Sequence, residues 1–353
     1  MADIRPAACR PSSAMRRLTR LTLLGGLTFA SAICPAETLH APLNYFMHSF
    51  GPAARPTMYL GWVLAGISVA VGFIIAFLLI MAVRRQRPTA GEREIGREDE
   101  GMQWIYMGTG ISTCVLTALV VYSMMVLNAV AKPPEAPAVT VTVTAYDWWW
   151  KVEYDHPDPA QHIVTANEIR IPVGQPVLVK LKSADVIHGF WVPTLAGKTQ
   201  AIPGLVNQQW IQADIPGRYT GQCTQYCGAA HARMGFEVIA EAAADFEKWR
   251  EAQRQPASSG VAVSEDSGYK LFMDRCAGCH AIKGTDAAGP HAPDLTHLNS
   301  RKRLAAGLLT NTPDNLMDWV TRAQQLKPGS RMPSIYLSEA EGEALSAFLS
   351  KLD

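Results

Sequence analysis

Apolar residues run almost unbroken from 58 to 83 and again from 104 to 131. Each run exceeds the ~20 residues that an α-helix needs to cross a hydrocarbon core, so the pattern predicts two membrane-spanning helices. Arg84 and Arg85 close the first run, and Lys132, Pro133 and Pro134 close the second. The loop between them, 84–103, carries Arg84, Arg85, Arg87, Arg93 and Arg97, whereas the segment before the first span, 33–57, holds only Arg55. Basic residues collect on the cytoplasmic side of a membrane, so the loop is expected in the cytoplasm and everything after Ala131 outside. The loop acids Glu92, Glu94, Glu98, Asp99 and Glu100 weigh little in that bias. A buried soluble helical hairpin is the other reading of the same two runs.

A shorter apolar stretch, 21–32, follows Arg5, Arg10, Arg16, Arg17 and Arg20 and ends in Ala30, Ser31 and Ala32. It is too short to span a bilayer and has the layout of a signal peptide over 1–32 with an Ala-x-Ala cleavage site. Residues 33–57 would then form an exported N-terminal segment. Cys34 raises the alternative of lipid attachment, for which Ile33 is the wrong size.

Beyond the Pro-rich joint at 132–137 the period of the pattern changes to two. Residues 139–146, 168–173 and 177–181 alternate or are rich in β-branched side chains, with turn residues between them. These are strand signals, and several short strands over 137–250 predict a β-sandwich. Residues 242–254 predict a terminal helix, and Gln255-Pro-Ala-Ser-Ser-Gly260 has linker composition within 251–263. From 264 to 353 the pattern is helical, over 267–275, 313–325 and 338–352. Ser338 and Glu341 stand at capping-box spacing. A small all-α domain is expected there.

The formal net charge of +1 leaves no basic footprint for nucleic acid. Hydrophobic residues make up 48% of the chain but concentrate before residue 131, as in a membrane anchor followed by soluble domains. Of 7 cysteines, Cys9 and Cys34 lie in or beside the expected signal, and Cys114 lies in the second span. The other four form two exported pairs whose neighbours argue for metal and haem rather than disulfides.

The first pair is Cys223 and Cys227, followed by His231 and Met234, with His188 upstream just after a strand. Soft thiol and thioether donors with imidazole favour copper. One copper needs a single Cys, whereas a second Cys four residues on lets two thiolates bridge two coppers. Two Cys and two His also satisfy tetrahedral zinc, and a disulfide is a third reading. The second pair, Cys276 and Cys279 with His280, is a Cys-x-x-Cys-His haem attachment motif. The thiols tether haem c and His280 reaches iron. Met332 is the expected second axial ligand, with His291 and His297 as rivals. Met273 lies too close to the attachment site, and Met317 sits in a helical pattern. Pro293 resembles the proline of small c-type cytochromes whose carbonyl orients the proximal His, and Pro290 competes for that role.

With Asp147-Trp148-Trp149-Trp150, the run from Val186 to Pro193, the run from Lys198 to Gln208 and the loop 223–234 in view, the chain resembles cytochrome c oxidase subunit 2 of the form with a fused C-terminal cytochrome c. The likeness covers almost the whole mature chain. It implies a two-helix transmembrane hairpin, a cupredoxin-like CuA domain and a class I cytochrome c domain. It implies dinuclear copper held by the side chains of His188, Cys223, Cys227, His231 and Met234 and the backbone carbonyl of Gln225. Many family members carry Glu at that last position, and its carboxylate also serves a magnesium ion, so Gln225 puts that ion in doubt. Trp148 matches the tryptophan through which electrons enter from a cytochrome. For Trp149 and Trp150, and as the alternative for Trp148, the reading is packing of the sandwich, with Trp148 and Trp150 facing one way along a strand. The family acid that feeds a proton path falls nearest Gly101, beside Glu98 and Glu100. The implied partners are subunit 1, with its haem a and CuB, subunit 3, and a soluble or membrane cytochrome donor. The implied activity is that of a proton-pumping oxidase at the cell membrane, with both redox centres on the periplasmic side. The donor arm of another terminal reductase, a free electron carrier and a copper-delivery protein are the competing readings.

Overall fold

The computed structural model describes residues 46–85, 100–158, 161–257 and 266–353. The expected signal peptide, Cys34 and Glu98 lie outside them, as does the side chain of Glu100. The two apolar runs form α1 (Arg55–Arg84) and α2 (Glu100–Ala131). Pro56 sits in the first turn of α1, where its missing N–H costs no helical hydrogen bond. No residue of α1 is buried by the protein itself. Phe73, Leu79, Ile111 and Leu116 stand exposed along the pair. Side chains of this kind need a hydrocarbon surround, and a helix satisfies its own backbone there. Three contacts tie the membrane end of the chain to its exported part. The Trp210 indole donates to Val130 O at 2.8 Å, Arg55 pairs with Asp214 at 2.6 Å, and Phe50 N donates to Thr194 O at 2.9 Å.

The exported part opens with two five-stranded sheets. One runs β3 (Ile163–Ala166), β2 (Trp149–Tyr154), β1 (Val139–Tyr146), β5 (Val177–Ser183), β8 (Asn207–Ile211). The other runs β4 (Glu168–Pro172), β10 (Gly235–Glu241), β9 (Gly217–Cys223), β6 (His188–Trp191), β7 (Lys198–Ala201). Alternation aims Val141, Val143, Trp150, Val152, Val179 and Leu181 inward, all fully buried. From the facing sheet Phe190 and Phe236 meet the edge of the Trp150 ring at 5.8 and 5.2 Å. α3 (Ala243–Arg254) closes one end, with Trp249 against Tyr154 at 5.2 Å.

Trp148 departs from the strand reading. β1 ends at Tyr146, which pairs with Trp149 as the first residue of β2. Asp147 and Trp148 therefore form the turn. A two-residue hairpin turn breaks the alternation that a continuous strand would keep. Trp149 stacks on Tyr146 at 4.8 Å, and Trp150 fills the core, so both pack as expected.

The C-terminal domain consists of α4 (Ser267–Arg275), α5 (Pro313–Leu326) and α6 (Glu339–Leu349). A two-residue ladder of β11 (Arg303–Leu304) and β12 (Leu309–Thr310) adds to the helices. Each helix starts on a side-chain cap. Asp266 accepts from Gly268 N and Tyr269 N, Thr312 from Asn315 N, and Ser338 and Glu341 complete the capping box. Phe272 of α4 meets Phe348 of α6 at 5.4 Å, within a core that includes Leu298, Leu316, Val320 and Leu345.

Candidate metal and haem centres

Three strand ends and one loop build the first centre. His188 opens β6, and Cys223 closes β9. The chain returns through a short turn at His231–Arg233 into β10, and Cys223 N donates to Met234 O at 3.0 Å across that hairpin. The donors at 223, 227, 231 and 234 are thereby folded onto one point. The sulfurs of Cys223 and Cys227 lie 3.8 Å apart as free thiols. His188 Nδ1 stands 3.9 Å from the Cys223 sulfur, and His231 Nδ1 stands 3.4 Å from the Cys227 sulfur. Met234 Sδ is 3.9 Å from the Cys227 sulfur, and the Gln225 carbonyl is 3.2 Å from that of Cys223. His188, Cys223, Cys227 and Met234 are buried, while the Gln225 side chain is exposed.

The donor set suits soft metal ions: two sulfurs side by side, with one imidazole against each. The electrostatics point the same way. The hydrogen bond from Cys227 pulls the Cys223 thiol down to about 4, while the interaction with Cys223 and then burial push Cys227 well up. Two adjacent thiolates repel, so both ionise together only where cationic charge lies between them.

Asp185 braces this centre. Its Oδ1 lies 2.7 Å from His188 Nε2, which leaves Nδ1 turned toward the sulfurs. Its Oδ1 also accepts from Val186 N, and its Oδ2 accepts from Asp147 N, each at 2.8 Å. A carboxylate behind a ligating imidazole fixes the ring and raises its basicity. Nothing in the sequence reading singled out Asp185, although a carboxylate three residues before a candidate ligand was a usable signal.

Trp148 lies against the same loop, 8% exposed. Its indole donates to Cys227 O at 2.9 Å. Gly228 has a φ of 115°, and a Cβ there would come within 2.9 Å of the Trp148 ring. Gly329, with a φ of 80°, approaches the ring from the C-terminal domain, where a Cβ would stand 3.3 Å away. Only glycine meets both demands at these two positions.

The second centre follows α4. Cys276 and Cys279 are free thiols on one tight turn, with His280 N donating to Cys276 O at 3.0 Å. The carbonyl at 2.7 Å from His280 Nδ1 is that of Pro293, so Nε2 is the ring nitrogen left for iron. Burial holds the His280 pKa below the usual histidine range, which keeps the ring neutral and able to ligate. Met332 is half-buried against the core of this domain, and its carbonyl accepts from Gln324 Nε2 at 2.6 Å. Of its rivals, His297 is buried with Nε2 on the Gln255 carbonyl at 3.1 Å, and His291 is exposed. Two thiols with an adjacent, oriented imidazole fit covalent haem.

The family model for cytochrome c oxidase subunit II, periplasmic domain, matches residues 139–242, and one for cytochrome c matches residues 265–353. A cytochrome c oxidase subunit 2 from Alkalihalophilus pseudofirmus is 31% identical over 313 residues, covering 86% of this chain and 89% of that one. The Bacillus subtilis protein of the same name is 28% identical over 301 residues, covering 79% and 82%. A quinol oxidase subunit 2, also from Bacillus subtilis, is 30% identical over 255 residues, covering 69% and 72%.

The brace on His188 is open to a direct check. Asp185→Asn should weaken copper binding by about 10–100-fold while the haem spectrum stays unchanged. A competition titration with a chelator reads the affinity. Equal affinities would reduce Asp185 to a brace for the loop backbone.

Proposed function

Because the chain belongs to the cytochrome c oxidase subunit 2 family, and so works as an electron-transfer subunit of an oxidoreductase complex, we propose that it is the arm through which electrons reach subunit 1 of a haem–copper oxidase. In this reading a haem c tethered by Cys276 and Cys279 is the donor, a dinuclear copper centre is the acceptor, and Trp148 lies between them. Subunit 1, and subunit 3 beside it, then receive the electrons that this chain collects, and oxygen is reduced to water in subunit 1. The whole sits in the cell membrane with both centres outside.

A single observation carries the reading. Trp148 is bonded through its indole to the Cys227 carbonyl and is covered by Gly329, three residues before Met332. One aromatic residue thus touches a copper-loop backbone and the segment that bears the expected iron ligand.

When bound, the copper pair supplies a site where one electron spreads over two metals, and the haem supplies a high-potential donor. The chain's own residues do the rest. Cys223 and Cys227 would hold the coppers through sulfur, and His188 and His231 would add one imidazole apiece. Met234 and the Gln225 carbonyl are the weak outer donors. Burial of His188, Cys223 and Met234 keeps water away, so little solvent must reorient when charge moves. Pro293 aims His280, and Met332 would supply the thioether on iron. A neutral Gln225 offers no carboxylate and is a poorer ligand for a hard cation than the Glu of many family members.

The full set of soft donors favours a cytochrome-fed arm over the quinol-fed activity for which one relative is named. Loaded with copper, the chain should give an electron paramagnetic resonance spectrum with seven hyperfine lines, from one unpaired electron on two nuclei. Four lines with one copper per chain would sink the dinuclear reading.

Met332→Ala should leave haem attached, lower its reduction potential and abolish the weak far-red band of iron–thioether bonding. Survival of that band would mean that a different methionine thioether reaches iron and would remove Met332 from the site, whereas its loss is the expected result. Trp148→Ala should slow haem-to-copper transfer at least ~10-fold with both absorption spectra intact, as read by flash photolysis, with Trp148→Phe retaining most of the rate. An unchanged rate in the Ala variant would return Trp148 to packing alone.

A further inference from the structure

Lys327, just past the end of α5, is 3% exposed. Among the described residues no carboxylate pairs with it. Its ammonium instead donates to two carbonyls on opposite sides of a domain boundary. One is Trp148 O in the sandwich at 2.7 Å, and the other is Ala305 O in the C-terminal domain at 3.0 Å. Burial drags its pKa down to about 7, with the Arg233 guanidinium adding to the effect. A lysine is costly in such a place unless its hydrogen bonds are needed there.

The acceptor side is built for the contact. Ala305, Ala306 and Gly307 adopt φ values of 52°, 63° and 87°, three left-handed residues in a row, two of them alanines. Left-handed alanine is an unfavoured backbone that persists where surroundings demand it. This loop aims Ala305 O at Lys327 and Ala306 O at Gly235 N, the latter at 2.9 Å, beside the copper ligand Met234. Around the clasp, Arg233 donates to Leu326 O, and Arg331 stands 4.0 Å from Asp185, the brace of His188.

We propose that Lys327 is a positioning residue that clasps the Trp148 turn and holds the haem domain in one docked pose over it. The pose has two consequences. Transfer from haem to copper needs no search by a swinging domain, and Trp148 is closed to any outside cytochrome, which must deliver its electrons to the haem domain instead. This rests on the proposed haem–Trp148–copper order, but the clasp itself is a statement about docking and can be tested apart from it.

The test uses the full chain in detergent, loaded with haem and copper. Flash reduction of the haem is followed in rising glycerol, and amide hydrogen exchange is measured over 147–149, 303–308 and 326–330. The wild-type rate should be independent of viscosity, and those amides should be well protected. Lys327→Met should keep both spectra, lose at least ~10-fold in rate, become slower in proportion to viscosity, and exchange at least ~10-fold faster in those segments. Lys327→Arg should restore much of the protection. A wild-type rate that falls with viscosity overturns the proposal even if the Met variant fails to fold. So does a Met variant that matches wild type in both readouts. If exchange rises in the Met variant while neither it nor Trp148→Ala changes the rate, the clasp stands and the Trp148 route falls.

Discussion

Two buried thiols 3.8 Å apart are the constraint to which the surrounding structure answers. Neither position is tolerable for a pair of negative charges without cations between them. The hairpin of β9 and β10 creates the approach by bonding Cys223 N to Met234 O, and the loop between them folds Cys227 and His231 onto the same point. His188 comes on a sheet strand and is held from behind by Asp185. The sandwich core, with Trp150 wedged against Phe190 and Phe236, keeps those strand ends in register. The copper-side geometry is therefore a property of the sandwich and the loop together.

The same loop also sets where the second domain can sit. The Cys227 carbonyl accepts from Trp148, and Gly228 leaves room for the ring. The ring then forms a floor onto which Gly329 closes. Contacts at Lys327, Ala306 and Ser300 spread the docking over backbone acceptors, with Arg170 reaching Ser300 O at 3.5 Å. Backbone acceptors hold position without requiring a matching charge, which suits an interface whose centre must stay dry. The linker adds to this. Its polar composition reads as slack, yet Ala257 N donates to Lys283 O at 3.0 Å, and Gln255 O sits on His297.

Much of this was legible because its signals are local. Two long apolar runs, period-two strands, a capping box and two cysteine spacings each declare themselves within a few residues. The features that escaped depend on partners far along the chain. Lys327 after α5 reads as a cation complementing a helix end, and only the fold shows Trp148, 179 residues away, as its acceptor. Trp148 was singled out, but its placement in a strand was wrong, since a two-residue turn leaves too little pattern to see. The ladder of β11 and β12 is shorter still. Asp185 stayed hidden because a loop carboxylate is ordinarily solvated, and its half-buried place against His188 arises only when β6 folds back.

The run Lys327-Pro328-Gly329 compresses a donor, a turn and a seat for an indole into three residues. Each member has a separate reason that vanishes if the two domains part. A lysine released to solvent could be any polar residue, and a glycine with no ring above it would need only a tolerable φ. Descent should therefore keep the triplet in chains whose fused cytochrome rests permanently on its acceptor, and let it drift where the cytochrome roams. Three letters would then sort fused chains by how their domains live together.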